Sequence, residues 1–310
     1  MKKNIIFLTN GNFSIPILNY LNNKYKITGI ITNKYLFLKK KKIYNFIINN
    51  NINYLYDKYI NNKSIILNFL KKNKPDINIC ISFKYIKKYI YEFPKYGTIN
   101  LHPSLLPKYI GPNPIRYAIL NNEKITGISI IKINNNIDKG KILIQKKIRI
   151  SKKDSYYSLY NKLSFISIYI LYKLLNKIFN NIKIKCLKIN SKLYTYTKKN
   201  NYNKDCKINW NNKSLYIYNQ IRAFYKKPST WTAILLKNQN IKYINIKKSN
   251  YKIKKHLYKN GYIKIHKNKI QIYCKDGYLI IKKCKFINKK QHNMIDFING
   301  FKNLNIIKCI

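Results

Sequence analysis

The chain has 310 residues, of which 46% are hydrophobic and 15% aromatic, and its formal net charge is +54. This length suffices for two domains with their own cores, and the apolar content excludes an intrinsically disordered chain. The charge is compatible with a polyanionic partner such as RNA, but all except three of the 63 basic residues are lysines spread through every segment. Compositional bias accounts for much of that lysine, so the charge permits RNA binding without establishing it.

The first half alternates short apolar runs with amphipathic stretches, which is typical of βαβ units and a mostly parallel sheet. The predicted strands span residues 4–9, 27–32, 77–83 and 98–102. The predicted helices between them span residues 14–23, 43–48, 63–71 and 84–91. A further helix is predicted from Pro112 and Pro114 to residue 120, because proline is tolerated in a first turn, and strand-like runs follow at 125–133 and 142–150.

A long helix is predicted from about Asp154, because apolar residues recur at steps of three and four as far as Ile178. After the polar stretch 198–207, a short helix at 214–224 leads into β-rich runs with turns at residues 260–261 and 276–277. Alternation at 262–266, 269–274 and 278–282 predicts a small antiparallel barrel. We therefore predict an α/β chain: a Rossmann-like domain at 1–190 with helices on both faces of its sheet, a linker at 191–207, and an OB-like β-barrel domain at 208–310.

Other features restrict the kind of protein. The first apolar run, residues 5–8, is too short for a signal-peptide core, and the most apolar stretch, 163–175, contains Ser164, Ser167 and Lys173. The six cysteines form no CxxC pair and have no histidine at ligand spacing, which indicates free thiols rather than a zinc site. We expect a cytoplasmic protein with neither a metal nor a membrane span.

The most informative segment is residues 98–107, Thr-Ile-Asn-Leu-His-Pro-Ser-Leu-Leu-Pro. It predicts a strand whose end carries Asn100 and His102 on one side, because strand side chains repeat every two residues. In parallel α/β sheets the carboxyl ends of the strands bind ligands. A histidine beside an asparagine is more often a structural hydrogen-bonded pair, but the string after it offers backbone amides and an apolar lip for a flat heterocycle.

These residues resemble the folate-dependent formyltransferases, whose hallmark is N-x-H-x-S-L-L-P followed by a glycine and a proline, here Gly111 and Pro114. The second signature of that family, a T-G pair and a D-x-G turn, resembles Thr126-Gly127 and Asp138-Lys139-Gly140. The resemblance implies that Asn100, His102 and Asp138 are catalytic. It also implies that a folate co-substrate, 10-formyl-tetrahydrofolate, is contacted by the following four residues: Ser104, Leu105, Leu106 and Pro107. On its own, Asp138 is equally a turn residue beside Gly140.

The second half resembles the C-terminal domain of methionyl-tRNA formyltransferases at residues 208–210, 221–224, 229–232, 274–279, 289–290 and 297–300. This implies formyl transfer to methionine on initiator Met-tRNA, for translation initiation, by a chain that we expect to be monomeric. The lysine-rich segment 33–42 and the barrel are the candidate tRNA-binding surfaces, with the following lysines named for the segment: Lys39, Lys40, Lys41 and Lys42. A solvated charged surface is an equally good interpretation of that segment.

The mechanism implied is acyl transfer without a covalent enzyme intermediate. Asn100 and a protonated His102 stabilise the oxyanion, while Asp138 favours the imidazolium and accepts the proton of the amine through water. Four features depart from the family pattern: Lys84 for a glycine, Ile110 for an arginine, Lys141 for an aspartate, and Asn10-Gly11-Asn12-Phe13 for an early G-T-P-x-F turn. Two rival interpretations are formylation of a nucleotide-linked amino sugar and a non-catalytic RNA-binding relative.

Overall fold

The computed structural model of the chain describes residues 2–34, 42–187, 193–226, 228–237, 239–266, 268–287, 295, 297–299 and 306–310. The chain divides into two compact units. The first comprises Met1–Pro114, Ile125–Arg149 and Tyr160–Thr197, and the second comprises Ile115–Lys124, Ile150–Leu159 and Lys198–Ile310. Two short segments from the first half of the chain therefore belong to the unit that is otherwise C-terminal.

The first unit is built on a seven-stranded sheet with the order β3-β2-β1-β4-β5-β6-β7. The strands β1 to β5 pair in parallel, whereas β6 pairs antiparallel with both β5 and β7. The strand bounds are β1 Asn4–Thr9, β2 Lys26–Thr32, β3 Asn53–Tyr56, β4 Ile77–Ile81, β5 Thr98–His102, β6 Ile125–Lys132 and β7 Ile142–Arg149.

Helices cover both faces of this sheet. The four residues Ile5 to Leu8 of β1 are all fully buried, and because neighbouring side chains on a strand point to opposite faces, both faces are covered. The helices that lie wholly or partly in this unit are α1 Ile15–Asn22, α2 Lys42–Asn49, α3 Lys63–Asn73, α4 Lys88–Tyr91, α5 Pro114–Leu120 and α6 Tyr156–Phe179. On one face, Ile66 and Leu70 of α3 pack with Ile6 and Leu8 of β1.

The second unit contains a six-stranded antiparallel sheet, ordered β10-β11-β12-β9-β8-β13. Its elements are α7 Tyr202–Asp205, α8 Ser214–Ala223, β8 Thr230–Leu236, β9 Ile241–Ile253, β10 Ile263–His266, β11 Lys269–Cys274, β12 Gly277–Phe286 and β13 Ile306–Cys309. An antiparallel bridge between Tyr262 and Lys308 joins the two edges of the sheet. The sheet thus curls into a barrel around the buried side chains of Trp210, Ile272 and Leu279.

This architecture confirms the predicted fold class, a Rossmann-like α/β sheet followed by a small antiparallel barrel.

The predicted bounds of two elements around β4 were wrong. The strand ends at Ile81 because Ser82 adopts a left-handed backbone, with φ +54°. The helix expected at 84–91 covers only Lys88–Tyr91, because Lys87 before it is extended. Within the described part of the chain, no helix is long and apolar enough to cross a membrane.

Candidate active site

Three polar side chains meet where β5 ends beside the turn between β6 and β7. Asn100 and His102 lie two residues apart on β5 and so point to the same side, and Asp138 comes from the turn. The Nδ2 of Asn100 donates to Oδ1 of Asp138 over 2.8 Å, and Nδ1 of His102 lies 3.4 Å from Oδ2. The side chains of His102 and Asp138 are 6% and 9% exposed, so their interaction is weakly screened by water.

The carboxylate of Asp138 is oriented by a third group. The backbone amide of Gly111 donates to Oδ2 over 3.1 Å, which ties the turn to the loop after β5. Asp138 itself has a φ of +53°, a left-handed conformation that aspartate and asparagine adopt more readily than most residues. The turn geometry and the hydrogen bonds together aim the carboxylate at Asn100 and His102.

The ring of His102 is fixed by its other nitrogen. Nε2 lies 2.9 Å from the carbonyl oxygen of Tyr109, and because a carbonyl only accepts, Nε2 carries the hydrogen. Nδ1 therefore faces Asp138 and forms an ion pair with it whenever the ring is protonated. Tyr109 has a φ of +61°.

The four predicted folate-contacting residues divide into two kinds. Ser104 and Leu106 are buried, and their backbone groups bond within the protein: the Ser104 carbonyl accepts from the Ser129 hydroxyl over 2.7 Å, and the Leu106 amide donates to that hydroxyl over 3.0 Å. Leu105 and Pro107 are half-buried. These two side chains therefore leave apolar surface accessible, whereas Ser104 and Leu106 hold the loop.

The supporting residues Ser129, Gln145 and Thr195 were not identified from the sequence. The Gln145 amide donates to the Leu106 carbonyl over 2.9 Å and to the Ser129 hydroxyl over 2.8 Å. The Tyr109 amide donates to the hydroxyl of Thr195 over 2.8 Å. A signal existed for Ser129, which is the polar residue between Ile128 and Ile130 in an otherwise apolar run.

A covalent route through a cysteine is not supported near this site. Cys80 on β4 pairs with Asn100 in the sheet register and is the thiol next to the site on the neighbouring strand. Burial raises the pKa of the Cys80 thiol far above its ordinary value, and a protonated thiol is a poor nucleophile. Among the residues that the structure describes, no three His, Cys, Asp or Glu side chains converge as metal ligands.

The structure brings only part of the predicted tRNA-binding segment into view. Lys42 begins α2 and is exposed. Lys39, Lys40 and Lys41 lie outside the described residues.

Comparison with known proteins identifies the family of the chain and its class of reaction. Residues 3–175 match the formyl transferase family, and residues 202–302 match the formyl transferase C-terminal domain. The chain belongs to the formyltransferase family. It is 31% identical to the methionyl-tRNA formyltransferase of Fusobacterium nucleatum over 96% of both chains. It is 34% identical to that of Blochmanniella floridana, over 90% of this chain and 88% of the relative.

Solved structures of sugar formyltransferases are similar to this formyltransferase as well. A sugar 3N-formyl transferase crystallised with dTDP and 5-N-formyl-THF matches with a TM-score of 0.65 and 25% identity, over 94% of this chain and all of that one. The N-formyltransferase from Helicobacter canadensis, in complex with folinic acid and dTDP-3-aminofucose, matches with a TM-score of 0.64 and 27% identity, over 91% and 98%. The protein is thus an enzyme of formyl transfer, from a family that uses formyl-tetrahydrofolate.

Proposed function

We propose that this formyltransferase transfers the formyl group of 10-formyl-tetrahydrofolate to the α-amino group of methionine on initiator Met-tRNA, in the cytoplasm and for translation initiation. The observation that carries the choice of acceptor is the likeness to methionyl-tRNA formyltransferases along 96% of both chains. That likeness includes the barrel as well as the sheet domain. Residues 208–310 are proposed as the tRNA-binding domain, joined to a catalytic domain at 1–190 by a linker at 191–207.

The cluster of Asn100, His102 and Asp138 supports direct transfer. As the amine attacks the formyl carbon, negative charge develops on the formyl oxygen, and fixed hydrogen-bond donors lower the energy of that state. The amide of Asn100 has two N–H groups, of which one donates to Asp138, so the other is available to the oxygen. His102 is the second donor, and its Nε2–H reaches the substrate once the Tyr109 carbonyl gives up its bond.

The amine needs no nucleophilic serine or cysteine. An α-amino group has a pKa of about 8 or below, so much of it is neutral near neutral pH and becomes reactive once it is positioned. After the attack its excess proton passes through water to Asp138. The bond between the formyl carbon and the folate nitrogen then breaks, and that nitrogen takes up the proton that Asp138 accepted, which restores the carboxylate. Asp138 thus acts as general base while also orienting His102.

The test is a product assay with three arms. Purified protein is incubated with 10-formyl-tetrahydrofolate and either initiator Met-tRNA, a UDP-linked amino sugar, or no acceptor, and the products are identified by mass spectrometry. Formylmethionyl-tRNA is the expected product, and His102→Ala is expected to abolish it while leaving tRNA binding unchanged. Tight tRNA binding with no product in any arm would instead indicate a non-catalytic RNA-binding relative.

A second candidate is formylation of a nucleotide-linked amino sugar. It is favoured by the sugar formyltransferase structures that match over 94% and 91% of this chain. The same three residues would act, and only the acceptor would differ. Formylation of the sugar without formylation of Met-tRNA would establish this alternative.

A further inference from the structure

An exposed group of two tyrosines and a lysine lies beside the proposed catalytic residues. Lys139 follows Asp138 directly, and its Nζ lies 5.3 Å from the ring centre of Tyr194 and 5.5 Å from that of Tyr196. Tyr196 is 60% exposed. Tyr194 is half-buried and packs against the small apolar cluster of Leu106, Ile110, Ile131 and Ile142. We call Lys139, Tyr194 and Tyr196 the rim cluster.

The rim cluster is held in place through the backbone of the loop after β5. Tyr196 forms a parallel bridge with Ile110; the Ile110 amide donates to the Thr195 carbonyl over 2.8 Å, and the Thr197 amide donates to the Ile110 carbonyl over 2.8 Å. The residues flanking Ile110, Tyr109 and Gly111, are those that bond His102 and Asp138. Tyr196 is therefore fixed to Ile110, the residue between the two whose backbone groups orient the catalytic side chains.

Tyr194 and Tyr196 are two residues apart in an extended segment, so they lie on the same side of it, where Lys139 also lies. An aromatic ring offers a face on which a nucleobase stacks, and an ammonium group offers charge to a phosphate. Side chains that only closed the core would be buried, yet Tyr196 leaves most of its surface in water and is anchored at its backbone. The cluster therefore combines the two chemistries that bind a nucleotide, next to the site where an amine must be delivered.

We propose that the rim cluster binds the 3′-terminal nucleotide of the aminoacyl-tRNA, with its base stacked on Tyr196 and its phosphate near Lys139. This rests on the proposed function, since it assigns the contact that presents the aminoacyl end to Asn100, His102 and Asp138. Stacking there restrains the terminal ribose, to which the amino acid is esterified, and so limits where its α-amine reaches. Tyr194 acts as a positioning residue, because it packs against the apolar cluster that contains Leu106 of the proposed folate-contacting loop.

The first measurement is steady-state kinetics of Tyr196→Ala, Tyr196→Phe and Tyr169→Ala. Tyr169 on α6 is 63% exposed and serves as the matched control. Tyr196→Ala is expected to raise the KM for Met-tRNA about tenfold or more, because stacking contributes at this scale. The KM for 10-formyl-tetrahydrofolate is expected to stay near its wild-type value, because the stacking contact involves only the tRNA. Tyr196→Phe and Tyr169→Ala are expected to match the wild type, because the former keeps the ring and the latter lies elsewhere.

The second measurement does not depend on turnover. Met-tRNA with 2-aminopurine as its terminal base is titrated with each protein, and the fluorescence of the base is followed, since stacking quenches it. Quenching is expected with the wild type and Tyr196→Phe, and its loss is expected with Tyr196→Ala. Lys139→Gln is expected to lower the slope of log affinity against log salt by about one.

The outcomes separate the two proposals. A wild type that makes formylmethionyl-tRNA, combined with unchanged KM and quenching in Tyr196→Ala, overturns the rim cluster and leaves the proposed function standing. A parallel rise in the KM for 10-formyl-tetrahydrofolate with a fall in kcat means that Tyr196 only supports the loop, and this also overturns it. A wild type that formylates the sugar nucleotide but no Met-tRNA removes both proposals.

Discussion

At the scale of single residues, Asp138 is held from three directions. It accepts hydrogen bonds from the Asn100 amide and the Gly111 backbone, and it faces Nδ1 of His102. Because these contacts fix both oxygens, the carboxylate stays in one orientation through the reaction. A general base is effective when it is already oriented, since it must lie within hydrogen-bond reach of the proton that it accepts, directly or through one water.

The first prediction concerns this carboxylate. Asp138→Asn keeps the size of the side chain and tolerates the left-handed φ. It removes the charge, and its new N–H faces either the Asn100 amide or the Gly111 amide, which are both donors. We expect kcat to fall roughly 10²- to 10⁴-fold, the range associated with losing a general acid–base group, while the melting temperature falls by only a few degrees, because one buried hydrogen bond is lost. Single-turnover formylation and thermal unfolding measure the two effects.

Asp76→Asn is the control for this substitution. Asp76 accepts a hydrogen bond from the amide of Asn4 over 2.8 Å at the amino end of the sheet, opposite the site. It should alter stability slightly and leave turnover unchanged. If Asp138→Asn retained a kcat within a few-fold of the wild type, the general-base role would have to be abandoned.

At the scale of elements, the β6–β7 hairpin that carries Asp138 depends on two close approaches. A Cβ on Gly127 would overlap the Lys146 carbonyl oxygen of β7, and a Cβ on Gly140 would overlap the Lys132 carbonyl oxygen. The Cβ of a residue that replaced Gly127 would also lie 2.5 Å from Cδ2 of Leu105. A side chain at either position would push the hairpin apart, and at Gly127 it would also displace the loop of residues 104–107, which we propose contacts folate.

The second prediction follows for Gly127→Ala. We expect it to lower the free energy of unfolding by about 1–3 kcal/mol, as overpacking does, and to raise the KM for 10-formyl-tetrahydrofolate because Leu105 must move. Urea unfolding and steady-state kinetics measure these effects. Gly11→Ala is the control, since a Cβ there has nothing within 4 Å and its backbone is extended; equal stability losses in both variants would rule out the close approach as the cause.

The elements with strong periodicity could be predicted from the sequence. The strands β1 and β5 have the bounds that the sequence predicts, residues 4–9 and 98–102. The strand β3 was missed because its four residues are exposed or half-buried and show no alternation of burial. The bounds of the 13-residue β9 were not predicted, since its Lys247, Lys248 and Asn250 interrupt the apolar alternation that marks a strand.

Within the site, the sequence identified the three side chains that meet but not what holds them. Tyr109 acts through its carbonyl and Gly111 through its amide, and backbone groups leave no signature in a residue pattern. Ile110, which stands where the family resemblance leads one to expect arginine, is buried with Leu106, Ile131 and Ile142. Here an apolar contact replaces a charge, which depends on tertiary packing that no local pattern encodes.

At the scale of the whole molecule, five of the six cysteines are buried and one, Cys186, is exposed. Burial raises the pKa of Cys206 and of Cys284 to about 12 and that of Cys274 to about 11. Because the thiolate is the reactive form, a raised pKa keeps these thiols protonated well above neutral pH. Their burial also denies access to reagents, so the two effects act in the same direction.

The third prediction is that a native sample treated with a thiol-specific disulfide reagent reacts at one fast site. The fast phase should disappear in Cys186→Ser, and unfolding in denaturant should expose all six thiols. Between about pH 7 and pH 9 the reaction of the buried thiols should stay slow, because pKa values of about 11 to 12 leave only a small fraction of each thiol ionised throughout that range. Two or more fast thiols in the folded protein would contradict the burial of these side chains.

The fourth prediction separates functional charge from compositional charge. With a net charge of +54, the protein should bind any polyanion to some extent, so affinity alone says little about which lysines contact tRNA. The dependence of affinity on salt is more informative, because each phosphate contact releases condensed counterions and adds about one to the slope of log affinity against log salt. We therefore expect the quadruple glutamine variant of Lys39, Lys40, Lys41 and Lys42 to bind initiator tRNA with a shallower slope than the wild type. Its control replaces four exposed lysines elsewhere on the first unit, Lys24, Lys71, Lys72 and Lys87, and removes the same total charge. If both variants lowered the slope equally, the segment would contribute only to the general field of the protein, and the tRNA contacts would have to be sought on the barrel.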